Sequence, residues 1–379
     1  MDIISFRFPT AMRFGRGARG ALAELKSRFK VSRPLLVTDS SMTQTEAFVL
    51  VSEVMDQTWP KSWAVFDGVH PNPIEADAEG GFAAWRAHGA DGIVALGGGS
   101  AIDGAKAILL KIAFPDRGLA EIPLKELPEF VAPLCAIPTT AGTGSEVGQS
   151  TVVIVPKFGR KMVYGGPALL PRLAILDPEL TRRLPPHLTA ATGMDAMTHA
   201  IESFVCPVFH PMCDGVALEA VYRIVKFLPR AVKDGDDMEA RGEMLVAASM
   251  GATAFQKDLG AAHSMAHALG TEYGVHHGLA NAICLPATIR FNGEKDSKQY
   301  ARVAQALGLV PDDDPAGQVA TFLEQFQKSL GITQRLRDFG IQDIDLARLA
   351  AKALEDSNHQ TNPRKVTGGD FLRLFREVL

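Results

Sequence analysis

Little in this sequence would tie it to a membrane, to nucleic acid or to an oxidising compartment. Its four cysteines (Cys135, Cys206, Cys213 and Cys284) share no CxxC or other paired spacing. That argues against a disulfide framework or a thiolate metal site and for reduced thiols in a cytoplasmic protein. No uncharged apolar run is long enough to cross a bilayer. The opening Met1-Asp2-Ile3-Ile4-Ser5 has no basic region leading into an apolar stretch, so no signal peptide is expected. Neither sign of charge dominates: 39 Lys and Arg against 43 Asp and Glu give a net charge of −4. Such an interspersed balance leaves no footprint for nucleic acid or an anionic membrane. Internal repeats and low-complexity segments are absent as well.

What is present is an ordinary globular composition, 46% hydrophobic and 22% charged, over 379 residues. That length exceeds what one hydrophobic core usually serves, so two domains are expected. An edge strand at Ile4-Ser5-Phe6-Arg7-Phe8 precedes a glycine-rich turn and a short helix, 19–29. Strands and helices then alternate: strand 34–39, helix 43–56, strand 63–66, helix 74–88 and strand 92–96, with further strands at 133–137, 151–155 and 173–176. Short, continuous apolar strands in this rhythm predict a parallel sheet covered by helices on both faces. Past Asp177-Pro178 the strand-like runs stop. Long helical periods take over at 188–205, 211–230, 238–255, 260–272, 278–292, 297–307, 315–329 and 345–355, so a nearly all-helical second domain begins near 178–183.

The helical half carries the densest chemistry. In Thr192-Gly193-Met194-Asp195-Ala196-Met197-Thr198-His199 the carboxylate and the imidazole are four apart and leave one helix face together. His263 and His267 repeat that spacing, and His276-His277-Gly278 follows. A helix of Ala, Met and Gly has no packing reason to bury imidazoles, since each brings a polar group that must be satisfied. One carboxylate with two or three imidazoles, and a position left open, is the donor set of a catalytic divalent metal.

The first half carries nucleotide chemistry. Strand 92–96 runs into Gly97-Gly98-Gly99-Ser100, where a glycine turn opens a helix whose free amides and dipole suit a phosphate. This is not GxGxxG, and it follows the third strand of the alternating series rather than the first. Asp39 closes the first strand of that series, where a carboxylate can accept hydrogen bonds from an adenosine ribose and would repel a 2′-phosphate, favouring NAD over NADP. The segment Pro138-Thr139-Thr140-Ala141-Gly142-Thr143-Gly144-Ser145-Glu146 is dense in hydroxyls and glycine and can hydrogen-bond phosphate and ribose.

Together these segments resemble the iron-dependent (group III) alcohol dehydrogenase family. The matching motifs are Gly97 to Ser100 with Asp103 and Lys106, Pro138 to Glu146, Ala191 to Glu202, His263 to Gly270, His277 to Ala282, and Thr361-Asn362-Pro363-Arg364. The resemblance implies an α/β dinucleotide-binding domain with a Rossmann-like parallel sheet over 1–180. An all-α domain over 181–379 would complete the dehydroquinate synthase-like fold of iron alcohol dehydrogenases, with metal and nicotinamide in the cleft between the two. It implies Asp195, His199, His263 and His277 as metal ligands and His267 as the proton path. It also implies NAD contacts from Asp39, Asn72, Gly98, Gly99, Ser100, Thr139, Thr140, Thr143 and Lys161, and a substrate channel near Phe255 and Asn358. Iron is the metal the family implies, although the ligand set suits Zn(II), Co(II) or Ni(II) equally. A homodimer formed through the strand at 4–8 is implied too.

The expected reaction is NAD-dependent oxidation of a small primary alcohol, or reduction of the aldehyde. The metal would act as a Lewis acid, hydride would pass directly, and His267 would relay the proton. Three rivals are set against it: reduction of a carboxylate-bearing substrate of the maleylacetate or hydroxy-acid type, a dehydroquinate synthase-like lyase, and a purely structural metal. The first two need cations around the substrate, and Lys257 is the only Lys or Arg between Arg241 and the helix that begins near Ala261.

Overall fold

In the computed structural model, which describes residue 8 and residues 10–379, the short apolar runs lie side by side as parallel strands. Compact units divide between Leu184 and Pro185. The first contains β1 (Ala11–Phe14), β2 (Pro34–Val37), β3 (Ala64–Phe66), β4 (Gly92–Gly97), β5 (Leu134–Pro138), β6 (Ser150–Val155), β7 (Arg160–Gly165) and β8 (Leu173–Leu176). Six of these form one sheet in the order β1-β8-β5-β4-β2-β3, every pairing parallel.

Alternate residues of each central strand serve opposite faces. Leu35, Val37, Ile93, Ala95, Leu134 and Ala136 pack with Ile102, Ile108 and Leu109 of α4 (Gly99–Ala113). Leu36, Val94, Leu96, Cys135 and Ile137 pack with Leu25 of α1 (Ala23–Ser27) and with Val51 and Met55 of α2 (Glu46–Thr58). A third helix, α3 (Glu75–His88), packs beside α4. Burial on both faces is why these strands read as continuous apolar runs rather than as alternating ones.

The strand order also fixes where a ligand can bind. From β2 the chain moves outward to β3, then returns to place β4 on the other side of β2 and continues away through β5. The direction of winding therefore reverses between β2 and β4, which pair from Pro34↔Gly92 to Val37↔Ala95. Ligands of such sheets sit beyond the carboxyl ends of the strands at that reversal. Asp39 follows β2 there, and Gly98-Gly99 follows β4.

Two strand expectations are corrected. The run at 151–155 does not join the parallel sheet: β6 pairs antiparallel with β7 in a separate hairpin, Ser150↔Gly165 through Val155↔Arg160. Its residues alternate between buried and half-buried, so one face is only partly covered, as suits an antiparallel pair and not a strand covered on both sides. Among the described residues one edge strand of the sheet is Ala11–Phe14, beside β8, in a stretch read from the sequence as a turn. The strand expected at 4–8 lies outside the described residues apart from Phe8.

The second unit is helical throughout its described elements: α5 (Pro186–Val205), α6 (Pro211–Lys233), α7 (Met238–Ala254), α8 (Ala261–Tyr273), α9 (His277–Asp296), α10 (Ala301–Ala306), α11 (Pro315–Ser329), α12 (Leu346–Glu355) and α13 (Gly368–Glu377). The last of these was not expected from the sequence. α5 packs against α6, α7 and α9 and is buried on nearly every side, from Thr189 to Val205. A helix enclosed in this way carries no amphipathic stripe. Its polar residues are therefore buried with it.

Between α7 and α8 the chain passes through Asp258 at φ 78°, ψ −178°, a conformation that residues bearing a Cβ rarely adopt. Asp258→Gly should relieve that strain at some cost in unfolded-chain entropy, for a net stabilisation of ~1 kcal/mol. Denaturant unfolding of the two proteins checks this. An unchanged or lowered midpoint would mean that the backbone there is not strained.

Candidate active site

Asp195 and His199 share one face of α5, and Glu202 lies on the same stripe one further turn along. α8 contributes His263 and His267, and α9 opens with His277. The helices bring Asp195, His263 and His277 together so that one donor atom from each lies within 4.8 Å of the others. Asp195 and His263 are almost wholly buried.

These donor atoms face a common point. The side-chain nitrogen of Asn281, itself fully buried, donates to Asp195 Oδ1 at 2.7 Å and stands 3.2 Å from both His263 Nε2 and His277 Nε2. An amide NH2 has two protons for these three acceptors. Three lone pairs directed at one small volume, from one carboxylate and two imidazoles, form the donor set of a divalent cation. Among the described residues no other group of His, Cys, Asp and Glu donors meets this geometry. His199 stands beside the trio, its ring stacked on that of His263 at 4.7 Å between centroids. Burial opposes ionisation of Asp195, but the positive charge that His277, His199 and His263 carry when protonated, with the Asn281 hydrogen bond, overcomes it and brings its pKa down to about 2.

A second layer fixes the direction of these donors. His263 Nδ1 lies 2.6 Å from Glu202 Oε2. An ionised carboxylate only accepts, so Nδ1 carries the proton and Nε2 presents its lone pair to the trio. Glu202 Oε1 also accepts from the Ala262 amide at 2.7 Å, and Asn362 Oδ1 accepts from the Ala261 amide at 3.2 Å, so the first turn of α8 is held from two directions. His267 Nδ1 donates to Asp356 Oδ2 at 2.7 Å, and Asp356 Oδ1 accepts from the Ser264 hydroxyl and the Asn358 amide, each at 2.9 Å. Burial works against the Asp356 charge, yet the His267 contact and these hydrogen bonds hold its pKa well below the usual carboxylate range. The His267 ring stacks on that of His277 at 5.3 Å. Phe255 lies 5.3 Å from the His199 ring, and Asn358 Nδ2 is 3.5 Å from His267 Nδ1. The residues expected at the metal, proton path and substrate channel thus gather in one place.

Glu202, Asn281, Asp356 and Asn362 were given no role from sequence. The spacing 195/199/202 along one helix face signals Glu202, and Asn281 is one turn past His277. Asp356 has no local signal, because it is 89 residues from His267.

In the sheet unit Asp39 and Gly98 to Ser100 follow the two strands that flank the winding reversal, and the loop carrying Thr139, Thr140 and Thr143 packs on the turn after β4. Asp39 Oδ1 accepts from the Ser41 and Met42 amides at 3.0 Å, while Oδ2 looks towards Gly97. Gly98 caps α4, and a Cβ on Gly99 would lie 2.6 Å from Thr143 Oγ1. Only glycine lets the hydroxyl loop rest on the first turn of that helix. A Cβ on Gly98 would stand 3.4 Å from Thr140. Thr139 is tied to the same turn by its amide, which donates to the Gly97 carbonyl at 2.9 Å. Ser100 donates to the Pro71 carbonyl and so holds the loop bearing Asn72 beside α4. Lys161 is on β7, paired with Ile154. Burial lowers its pKa, with Asp103 acting in the other direction.

Comparison with known proteins gives one consistent answer. A family model described as "Iron-containing alcohol dehydrogenase" matches residues 9–178, and one described as "Fe-containing alcohol dehydrogenase family, C-terminal" matches 189–379. The chain is 40% identical over 381 residues to a 4-hydroxybutyrate dehydrogenase of Cupriavidus necator, covering 95% of this chain and 96% of that one. It is 33% identical over 380 residues to an NAD-dependent methanol dehydrogenase of Bacillus methanolicus, covering 99% and 100%. A crystal structure of 1,3-propanediol oxidoreductase superposes with a TM-score of 0.95 over the whole of both chains, at 32% identity.

The trio depends on a close approach of α5 and α9. A Cβ on Gly278 would lie 2.3 Å from the Ala191 carbonyl oxygen and 3.2 Å from Asp195 Cβ. Gly278→Ala should destabilise the fold by about 1–3 kcal/mol, as overpacking of a close-packed interior does. Thermal unfolding checks this, and a melting temperature equal to wild type would contradict the packing described.

Proposed function

The chain belongs to the iron-containing alcohol dehydrogenase family, and from that premise we propose the following reading. It interconverts a small primary alcohol and its aldehyde, with NAD as hydride carrier and one divalent ion, iron first and zinc next, at Asp195, His199, His263 and His277. The observation that carries this is the convergence of Asp195 Oδ1, His263 Nε2 and His277 Nε2 on one point. A divalent ion bound there supplies Lewis acidity, which lowers the pKa of an alcohol or polarises a carbonyl.

The chain's own residues do the rest. Glu202 keeps the proton of His263 on Nδ1 and so keeps Nε2 available as a donor. Asp356 orients His267 through Nδ1, leaving Nε2 to take the alcohol proton on oxidation and return it on reduction. Imidazole is the side chain suited to that exchange near neutral pH. Asp39 accepts from the adenosine ribose and repels a 2′-phosphate, which favours NAD. The Gly98 to Ser100 turn, Asn72 and the Thr139, Thr140 and Thr143 hydroxyls receive the phosphates and ribose, and Lys161 receives the nicotinamide ribose.

A homodimer in a reducing cytoplasm completes the reading. All four cysteines are free and buried, and the outer strand β1 presents Met12 and Phe14 to solvent. A second reading, a primary alcohol bearing a carboxylate at its far end, is favoured by the likeness to the Cupriavidus necator enzyme. Against it stands Lys257, the cation nearest in sequence to α8, which carries His263. It is buried and committed to Asp214 and to the Phe204 carbonyl at 3.1 Å.

The test is NADH formation from NAD with neutral primary alcohols and with 4-hydroxybutyrate, on the metal-replete protein. With Lys257 committed elsewhere, neutral alcohols should be preferred in kcat/KM by about tenfold or more, since a carboxylate left without its own cation loses on the order of 1.4 kcal/mol or more on entering the site. A reversed preference would establish the second reading. No turnover of any alcohol would reject both.

A further inference from the structure

Helix α4 carries a polar knot that the reading above leaves unused. Lys106 is fully buried on its second turn. Its ammonium donates to the Ser145 carbonyl at 2.8 Å, the Ser145 hydroxyl at 2.8 Å, the Gly148 carbonyl at 2.9 Å and the Ser150 carbonyl at 2.8 Å. Four oxygens surround three protons, a cage resembling that of a bound monovalent cation. Three residues earlier, Asp103 accepts from the Ser145 hydroxyl at 2.6 Å and the Val152 amide at 3.0 Å, and its carbonyl accepts from Thr151 Oγ1 at 2.8 Å. Everything that the second turn of α4 grips thus lies in 145–152. Burial lowers the Lys106 pKa to about 8, against the pull of Asp103 and Glu146.

The gripped segment continues from the hydroxyl loop. That loop is fixed at its start, where the Thr139 amide meets the Gly97 carbonyl. Its far end is held by Lys106. The knot includes the start of β6, which is paired with the strand that carries Lys161.

We propose that Lys106 is a positioning residue for the dinucleotide subsite. It acts as a built-in cation that closes the 145–150 segment onto α4 and thereby sets Thr140 and Thr143 against the Gly98-Gly99 turn. An apolar side chain of similar length would fill the inner face of α4 without the cost of burying an ammonium. What it could not do is draw three backbone carbonyls to one point. This inference rests on the cofactor reading above, since it assigns Lys106 a part in that same subsite.

The test compares wild type, Lys106→Met and Ser145→Ala for NAD dissociation constant, KM for NAD, KM for alcohol and kcat. Lys106→Met should raise the dissociation constant and KM for NAD by about tenfold or more, the loss expected when a charged hydrogen-bonding group is removed. Its kcat and alcohol KM should stay within about threefold of wild type, consistent with a purely binding defect. Ser145→Ala, which deletes one oxygen of the cage, should shift the same two constants in the same direction by less. NAD binding unchanged in a folded Lys106→Met protein would overturn the proposal, as would a parallel loss in kcat and alcohol KM, the mark of general disruption. If Lys106→Met does not fold, Ser145→Ala decides by the same criteria. Absence of NAD binding by wild type is a separate outcome. It would reject the cofactor reading, and this proposal with it.

Discussion

The helical unit is arranged around three lone pairs that must point at one another across a dry interior. An ionised carboxylate and two imidazoles brought that close out of water are costly unless something positive sits between them. The surrounding structure supplies what it can: the Asn281 amide reaches all three atoms, and His199 lies flat against His263. Much of the architecture then follows. Gly278 brings α9 against α5, Glu202 and Asn362 hold the first turn of α8, and Asp356 fixes His267 beside the site. The C-terminal Thr361-Asn362-Pro363-Arg364 motif has its physical meaning here. Asn362 holds the first turn of α8, which carries the donor His263, and it is itself anchored by its bond to Asn292 at 2.7 Å.

The sheet unit answers a different constraint. A parallel sheet has to be covered on both faces, so the connections between its strands run through helices, and side chains that meet a ligand are left to the strand ends. The reversal between β2 and β4 selects which ends. One helix, α4, then serves twice: its first turn is the glycine anion site and its second turn is the knot that ties down the loop lying over that site.

The sequence made much of this legible, for specific reasons. Strands buried on both faces announce themselves as short apolar runs, which is why 34–37, 92–97, 134–138 and 173–176 were readable. Paired polar residues four apart in an apolar helix stand out because packing gives no cause for them, and this exposed Asp195 with His199 and His263 with His267. The hairpin of β6 and β7 was misplaced because a run of Val and Ile does not say which neighbour it will pair with. Asp356 was silent, and Asn362 was visible only within a motif without a role, because their partners lie 89 and 101 residues away. Lys106 was visible as part of a motif, but its four acceptors are mostly backbone carbonyls, which no side-chain pattern can reveal.

The central claim is that the point shared by Asp195, His263 and His277 holds a divalent cation. It is tested most directly by elemental analysis of the protein purified without added metal and again after dialysis against Fe(II) or Zn(II), alongside His263→Ala treated in the same way. The account predicts one equivalent per chain in the wild type and, after dialysis, occupancy at least about tenfold weaker in the variant, as loss of a first ligand costs no less than loss of its supporting partner. A wild-type protein that neither carries nor takes up metal, or a variant that binds it as well, would contradict the account.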